Sequence, residues 1–375
     1  MNLLVSSMPS VFSTVKYTTV FDTIPLRLQQ GGTLSNITVA YETYGTLNNE
    51  KSNAVWVCHA LTGNAHAYSD GTNVPGWWDG LIGKNLALDP DEYFIICSNI
   101  LGSCYGTTGP ASHYPADGLP WRKRFPLITV RDMVQVQHAL LEHLGIERLQ
   151  AVIGGSLGGM QVLEWALMYP EKVARIIPIA TAASHSAWAI AWNEAARRAI
   201  VQDPAFQNGG DNEQPVKGLG LARWIAMISY RSQKSYQDKF ARGGQPCDQI
   251  NPDFFYSDET AQPFAIEHYL DYQGKKLTAR FDALSYIRIT QAMDRHDVTE
   301  GRGSLDYVLR SIRAKSLCIG IRSDVLYPAE EQKAIARGIK NARYIELDSD
   351  DGHDAFLIKN ELMNETIAKF LKENE

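Results

Sequence analysis

A serine between closely spaced glycines carries the strongest chemical signal in this chain. Residues 154–158 read Gly-Gly-Ser-Leu-Gly, after a short apolar run at 149–153 and before a helical pattern that begins at Leu157. A Gly-x-Ser-x-Gly pattern between a strand and a helix is typical of a nucleophile elbow, in which the glycines remove Cβ atoms that would collide. The turn also directs backbone N–H groups toward the reaction centre. We therefore predict that Ser156 is a covalent nucleophile.

A serine nucleophile needs a general base and a carboxylate that orients it. The hydroxyl is a weak nucleophile at neutral pH, and in this arrangement the acid precedes the histidine along the chain. Asp324 follows an apolar run at 316–321, and His353 lies just before the last helical pattern. The alternatives are that Asp324 caps a helix that begins near Pro328 and that His353 is a solvated loop residue. We predict the triad Ser156, Asp324 and His353.

Other acidic and histidine residues rank below these. Asp348, Asp350 and Asp351 are too close in sequence to His353 to come from a separate strand end. Six histidines have no partner pattern and are interpreted as structural or surface residues: His113, His138, His143, His185, His268 and His296.

Two backbone N–H groups are candidates for the oxyanion hole. One donor should follow the nucleophile, and the other should come from the loop after an early central strand. These positions are Leu157 and Leu61. His59 and His66 lie in the same loop as Leu61. For these two histidines we favour hydrogen bonds within the loop over contacts with substrate.

The elements that position these residues alternate between strand and helix. Short apolar runs at 54–58, 93–97, 149–153, 175–180 and 316–321 predict buried parallel strands, and a further strand is expected at 343–347. Helical periodicity separates several of them. This order predicts an α/β fold with a mostly parallel sheet. Residues 184–300 are instead helical, with candidate helices at 187–201 and 219–232 and a loop-like stretch at 203–214 between them. We expect a core domain of residues 1–183 and 301–375 and a helical cap of residues 184–300 over the sheet's carboxyl edge.

Composition sets the broad class of the protein. The chain has 375 residues, of which 45% are hydrophobic and 21% are charged, as in ordinary soluble proteins. Its net charge of −6 and the lack of basic blocks argue against nucleic-acid or membrane-surface binding. Five cysteines without a C-x-x-C spacing argue against a disulfide framework or a zinc site. With no signal peptide or long apolar segment apparent, we expect a cytoplasmic protein without a metal or a bound cofactor.

The chain resembles the homoserine O-acetyltransferases of the α/β-hydrolase superfamily from about residue 21 to residue 370. The motifs that carry this resemblance are residues 40–47, 58–63, 76–78, 98–102, 106–110, 125–126, 129–134, 154–161, 220–223, 230–232, 272–276 and 352–357. So many ordered matches are far more specific than the serine motif alone.

The resemblance implies a ping-pong transfer of an acetyl group from acetyl-CoA through Ser156 to the hydroxyl of L-homoserine, for methionine biosynthesis. It implies that Arg223 binds the carboxylate of the amino acid and that Asp354 binds its ammonium group. These roles suit a planar guanidinium and an anion. The alternatives are a charge on a helix surface for Arg223 and a solvated loop acid for Asp354. Tyr230, seven residues after Arg223 on the same helical face, is a further expected substrate contact.

The acyl donor depends on the residue two positions after Asp324. Related enzymes that use succinyl-CoA often have an arginine there, which would pair with the succinyl carboxylate, whereas this chain has Leu326. A carboxylate buried against leucine would be costly, so we expect acetyl-CoA, although Arg322 could compensate.

Other activities of the same fold stay open at this point. They are L-serine as acceptor, water as acceptor in an esterase or thioesterase, and a binding protein without catalysis, which would lack a triad member. The apolar residues of the cap also favour a homodimer.

Overall fold

The fold is built on one twisted eight-stranded sheet. A computed structural model describes residues 15–208, 213–242 and 264–373. In chain order the strands are β1 (Lys16–Val20), β2 (Leu26–Arg27), β3 (Thr33–Leu34), β4 (Ile37–Tyr44), β5 (Ala54–Cys58), β6 (Phe94–Ser98), β7 (Ala151–Gly155), β8 (Arg175–Ile179), β9 (Lys315–Ile321) and β10 (Ala342–Leu347). The sheet order is β1-β4-β6-β5-β7-β8-β9-β10, while β2 and β3 form a separate ribbon. β1 and β4 are antiparallel to their neighbours and the other strands run parallel, which confirms the α/β class.

Helices cover both faces of this sheet. They are α1 (Val130–His143), α2 (Leu157–Met168), α3 (Ala187–Val201), α4 (Pro204–Asn208), α5 (Val216–Tyr230), α6 (Gln233–Phe240), α7 (Ala265–Thr278), α8 (Ala283–Asp294), α9 (Leu305–Ser311), α10 (Ala329–Gly338), α11 (Ala355–Ile358) and α12 (Glu361–Leu371). Helices α1, α2 and α10 contribute apolar residues to the core on one face, and α12 to the core on the other. Alternate residues of β5 enter the two cores, which is why its sequence is apolar at every position.

Local signals account for the bounds of the helix that precedes the elbow. Thr129 and Asp132 form a capping box at the start of α1, where each side chain accepts from the other's backbone N–H. Beyond its end, Gly145 has a φ of +66° and donates its N–H to Glu142 O. The helix therefore ends at His143, and β7, which leads into the elbow, begins a short connection later at Ala151.

The region between β8 and β9 is helical throughout its described residues, apart from connecting turns. Helix α5 packs against both α3 and α7, and α3 also packs against α8. Two sequence predictions were wrong in detail. The stretch expected to be loop-like at 203–214 begins with helix α4, while its residues 209–212 lie outside the described part of the chain. The helix expected at 219–232 begins at Val216 and ends at Tyr230. Ser232 instead caps α6, because its side chain accepts from the N–H of Ser235.

Candidate active site

The serine motif forms a tight turn between β7 and α2. Ser156 has φ of +58° and ψ of −125°, a conformation that non-glycine residues rarely adopt. An ideal Cβ on Gly154 would lie 2.7 Å from Cys58 O, and one on Gly158 only 2.2 Å from the same oxygen. The two motif glycines therefore allow the elbow to lie directly against the end of β5.

Asp324 and His353 come together although they are distant in sequence. The Nδ1–H of His353 donates to Asp324 Oδ2 over 2.7 Å, and both side chains are buried. The other carboxylate oxygen, Oδ1, accepts from the N–H groups of Leu326 and Tyr327 at 2.8 and 2.9 Å. These contacts orient the carboxylate toward the ring. Burial acts to lower the pKa of His353, but the Asp324 charge and hydrogen bond raise it above its usual value.

The elbow and the histidine segment are in contact. An ideal Cβ on Gly155 would lie 2.5 Å from the ring of Phe356, three residues after His353. Tyr327 borders the same small cavity as Ser156, and its ring centroid is 5.3 Å from that of His353. The hydrogen bonds within the described ranges do not include one between the Ser156 hydroxyl and the His353 ring. That bond can form when the reacting groups draw together on substrate binding.

The competing carboxylates have other partners. Arg322 pairs with Asp348 and Asp350, in each case over 2.6 Å. Asp351 lies 3.5 Å from Arg231. Of the acids considered from sequence, it is therefore Asp324 that is hydrogen-bonded to His353.

The two predicted oxyanion donors belong to peptide units whose carbonyls are held. The Nδ1–H of His59 donates to Ala60 O over 2.8 Å, while its Nε2 accepts from the N–H of Ile100 over 3.1 Å. Burial lowers the pKa of His59 to about 4, so the ring is neutral and can make both bonds. Since the peptide unit is planar, holding Ala60 O also orients the N–H of Leu61.

Thr181 orients the second donor in the same way. Its hydroxyl donates to Ser156 O over 2.8 Å, which sets the direction of the Leu157 N–H in that peptide unit. Within the described part of the chain, neither the Leu61 nor the Leu157 N–H donates to a hydrogen-bond acceptor. Sequence reasoning did not single out Thr181.

A cation and an anion lie around Tyr230, the ring next to His353. Arg223 and Tyr230 are both on α5, with the Arg223 Cζ atom 5.7 Å from the Tyr230 ring centroid. That ring is in turn 5.6 Å from the His353 ring. Among the described residues, neither Arg223 nor Asp354 has an ion-pair partner. Burial raises the pKa of Asp354, and the charge of Arg223 opposes that shift.

The cavity beside Ser156 is lined by residues from several elements. It is bordered by Leu326, by Tyr327 and by side chains of α3, α5 and α8: Ala189, Trp192, Asn193, Ala196, Ala226, Ser229, Tyr230, Tyr286 and Met293. His185 also lines it, with Nε2 2.8 Å from the Tyr327 hydroxyl and Nδ1 3.2 Å from Asp294. Sequence reasoning assigned His185 no partner, because Asp294 and Tyr327 are more than a hundred residues away. His66 pairs with the buried Glu42 over 3.0 Å.

Two features are absent from the part of the chain that the structure describes. No three of their His, Cys, Asp and Glu side chains are grouped so that they could hold a metal ion. None of the helices within these ranges combines the length and apolar character needed to span a membrane.

Comparison with known proteins extends these observations. The chain matches the profile of the alpha/beta hydrolase fold over residues 53–359. A homoserine O-acetyltransferase from Trichormus variabilis is 50% identical over 92% of this chain and 91% of its own length. One from Moorella thermoacetica is 48% identical over 93% of this chain and 94% of its own.

Solved structures match over nearly the whole chain. A homoserine O-acetyltransferase from Bacillus anthracis superimposes with a TM-score of 0.86 at 29% identity, covering 97% of this chain and 99% of that one. Esterase E22 superimposes with a TM-score of 0.84 at 27% identity, covering 96% and 99%. The two homoserine O-acetyltransferase sequences are 50% and 48% identical to this chain over more than nine-tenths of its length, whereas esterase E22 is 27% identical. The chain therefore belongs to the homoserine O-acetyltransferase family of the α/β-hydrolase fold.

Proposed function

We propose that this protein transfers an acetyl group from acetyl-CoA to the hydroxyl of L-homoserine through an acyl-Ser156 intermediate. The observation that carries the proposal is that Arg223 and Asp354, two side chains of opposite charge, lie around Tyr230, the ring next to His353. Arg223 and Asp354 have no ion-pair partner among the described residues. Asp354 follows His353 directly in the chain, and Arg223 lies against Tyr230, whose ring centroid is 5.6 Å from that of His353. An α-amino acid offers the complementary carboxylate and ammonium groups.

In the first half-reaction, His353 removes the proton from the Ser156 hydroxyl as its oxygen attacks the thioester carbonyl. The N–H groups of Leu61 and Leu157 stabilise the resulting oxyanion. When the carbon–sulfur bond breaks, His353 returns the proton to the leaving CoA sulfur, and the acetyl group stays on Ser156.

The second half-reaction repeats this chemistry with the amino acid as nucleophile. His353 removes the proton from the homoserine hydroxyl, which attacks the acyl-enzyme carbonyl. The bond to the Ser156 oxygen breaks, and His353 returns the proton to that oxygen. The products are O-acetyl-L-homoserine and free enzyme, which is the step toward methionine that the family name implies.

The surroundings of Leu326 favour acetyl over succinyl as the transferred group. This apolar side chain borders the cavity beside Ser156. The nearby Arg322 is already paired with two carboxylates, Asp348 and Asp350. A succinyl carboxylate in this cavity would therefore meet leucine instead of a free guanidinium.

The helical region between β8 and β9 would act as the cap. We assign it to residues 184–300, with the core formed by 1–183 and 301–375. Side chains from α3, α5 and α8 line the cavity over Ser156, where they would exclude water from the acyl-enzyme. Its helices also expose apolar residues, among them Leu221 and Ile228, which lie seven residues apart on α5. These residues fit a homodimer contact, and light scattering would measure whether the protein is a dimer.

The proposal is tested by a matrix of acetyl-CoA and succinyl-CoA against L-homoserine, L-serine and water. We expect acetyl-CoA with homoserine to give the highest kcat/KM. Intact-mass analysis should show an added acetyl group on the wild type and none on Ser156→Ala. Water as the preferred acceptor would instead make the protein an esterase or thioesterase, and the same adduct on Ser156→Ala would exclude Ser156.

Arg223→Ala tests recognition of the acceptor. We expect kcat/KM for homoserine to fall about 100-fold, since hydrogen bonds to charged groups contribute roughly 1.5–3 kcal/mol each. Hydrolysis of acetyl-CoA should change little. The matched control is Arg198→Ala on α3, which removes a largely exposed arginine that is paired with Glu194. Equal loss of transfer and hydrolysis in Arg223→Ala would contradict the acceptor role.

A further inference from the structure

A chain of three buried side chains lies directly behind the elbow. The indole Nε1–H of Trp165 donates to Gln137 Oε1 over 2.8 Å. Gln137 Nε2 then donates to Gln161 Oε1 over 2.6 Å. All three side chains are fully buried, between α1 and α2.

The direction of this chain follows from its two ends. An indole N–H can only donate, so the Gln137 oxygen must face it and the Gln137 NH₂ must face Gln161. At the other end, Gln161 Nε2 donates to two backbone carbonyls, His59 O at 3.2 Å and Leu157 O at 3.1 Å, which can only accept. Both glutamine amides therefore have one possible orientation.

The two carbonyls belong to the two segments that carry the oxyanion donors. His59 O lies two residues before the Leu61 N–H, in the loop after β5, and Leu157 carries the second donor itself. His59 donates to the carbonyl of Ala60, and Thr181 donates to the carbonyl of Ser156. These two bonds set the directions of the Leu61 and Leu157 N–H groups but do not link the two segments. Gln161 connects one segment to the other.

We propose that Gln161 is a positioning residue that sets the separation of the Leu61 and Leu157 N–H groups, and hence the geometry of the oxyanion hole. This inference rests on the proposed acyl-Ser156 chemistry. Because the oxyanion exists only near the transition state, a misplaced donor lowers the rate of acylation and leaves ground-state binding almost unchanged. Gln161 acts through the backbone and touches no reacting atom.

The experiment compares Gln161→Met with Gln137→Met in the full-length protein. Both substitutions remove one amide from the same buried layer and keep side-chain length, so their costs in stability should be similar. Gln137→Met leaves both hydrogen bonds from Gln161 to the backbone carbonyls in place, whereas Gln161→Met removes them. The measurements are the Tm, the homoserine Kd and the burst of nitrophenolate on mixing with p-nitrophenyl acetate, a neutral ester that acylates the serine without homoserine.

We expect Gln161→Met to slow the burst about 10- to 100-fold, part of the loss that follows removal of a whole oxyanion donor. For Gln161→Met, the KM for p-nitrophenyl acetate, the homoserine Kd and the pH midpoint of acylation should match those of the wild type. The acylation rate of Gln137→Met should stay within about three-fold of the wild-type rate. Equal slowing in both variants at equal Tm would overturn the inference and leave the proposed function intact. No nitrophenolate release and no acetyl adduct by intact mass in the wild type would instead overturn the acyl-enzyme proposal itself.

Gln161→Glu provides a second test if the methionine variant does not fold. An ionised carboxylate repels the two carbonyls, but the protonated acid can donate one hydrogen bond to them. Burial raises the pKa of such a carboxyl group. Its acylation rate divided by that of the wild type should therefore rise at least several-fold as the pH falls, with folding verified by circular dichroism. A ratio independent of pH would contradict the positioning role.

Discussion

Gly352 lies against the backbone of Ser232, at the corner between α5 and α6. An ideal Cβ on Gly352 would be 2.6 Å from Ser232 N, and the glycine has a φ of +71°. The Ser232 hydroxyl also donates to Asp350 O. The segment that carries His353 is therefore packed against the end of α5, the helix that carries Arg223. This contact joins the proposed base to the proposed acceptor site.

Gly352→Ala, compared with a control glycine, should distinguish the effect of displacing this contact from the effect of backbone strain at a positive φ. The added methyl group must displace either the His353 segment or the α5–α6 corner, and a misplacement of about 1 Å can cost roughly 100-fold in rate. Gly118→Ala is the matched control, because Gly118 has the same φ of +71° with nothing within 4 Å of its Cβ position. We expect a Tm loss in both but a large fall in kcat in Gly352→Ala alone. Similar kinetics for the two variants would show that this contact does not position the base.

Asp324→Asn should lower kcat by about 10³- to 10⁴-fold, the size of the effect in the Ser-His-Asp template. The asparagine oxygen can still accept from the N–H groups of Leu326 and Tyr327, which turns its NH₂ toward His353 Nδ1. The ring would then carry its proton on Nε2 and could not accept one from Ser156.

The pH profile of this variant gives an independent check. Activity needs neutral His353, whose raised pKa places the acidic limb of kcat at a higher pH than an ordinary histidine would. Without the Asp324 charge, burial still lowers the pKa, so the limb should move to lower pH. Asp348→Asn, which alters an exposed carboxylate, is the control and should leave both rate and profile unchanged. A limb that stays in place in Asp324→Asn would mean that another group controls it.

Leu326→Arg should raise the ratio of kcat/KM for succinyl-CoA to that for acetyl-CoA by about 10-fold or more, as expected for one new charge-assisted hydrogen bond. The side chain borders the cavity beside Ser156, where a guanidinium could pair with the succinyl carboxylate. Leu326→Met keeps the apolar character and similar volume, so its donor preference should match the wild type. An unchanged ratio in Leu326→Arg would place donor selection elsewhere in the chain.

Glu331→Gln should stabilise the protein at high pH. Burial and the charge of Asp324 raise the pKa of Glu331 from 4.5 to about 7, so the folded state disfavours the ionised form. The wild type therefore loses stability relative to the glutamine variant as the pH rises from about 4.5 to 7. Because the carboxylate is only partly buried and screened by solvent, we expect a gain of about 2–4 °C in Tm at pH 8.

The same variant should melt like the wild type near pH 4.5, where Glu331 is protonated in the folded protein. Its control is Glu330→Gln, the preceding glutamate, which is exposed and paired with Lys333. That substitution should give no such rise in the Tm difference with pH. A constant difference between Glu331→Gln and the wild type at all pH values would contradict the raised pKa.

Much of the fold could be predicted because its signals are local. The apolar run 54–58 coincides with β5, and the helix over Ala187–Val201 was predicted with both of its ends. Helix α4 was missed because five residues are too few to show periodicity. The end of α5 at Tyr230 was also missed, since the helical pattern continues into α6 and the break depends on the cap at Ser232.

By itself, the sequence determined the class of fold and predicted the serine elbow, with Asp324 and His353 as candidate partners, because glycine spacing and hydrophobic periodicity act over a few residues. Only the tertiary structure decided which carboxylate meets His353 and which polar groups share its surroundings. The pairing of His185 with Asp294, the contact of Gly352 with Ser232 and the chain from Trp165 to Gln161 depend on how distant segments pack. Such contacts carry no local pattern, since each partner alone looks like an ordinary polar or small residue.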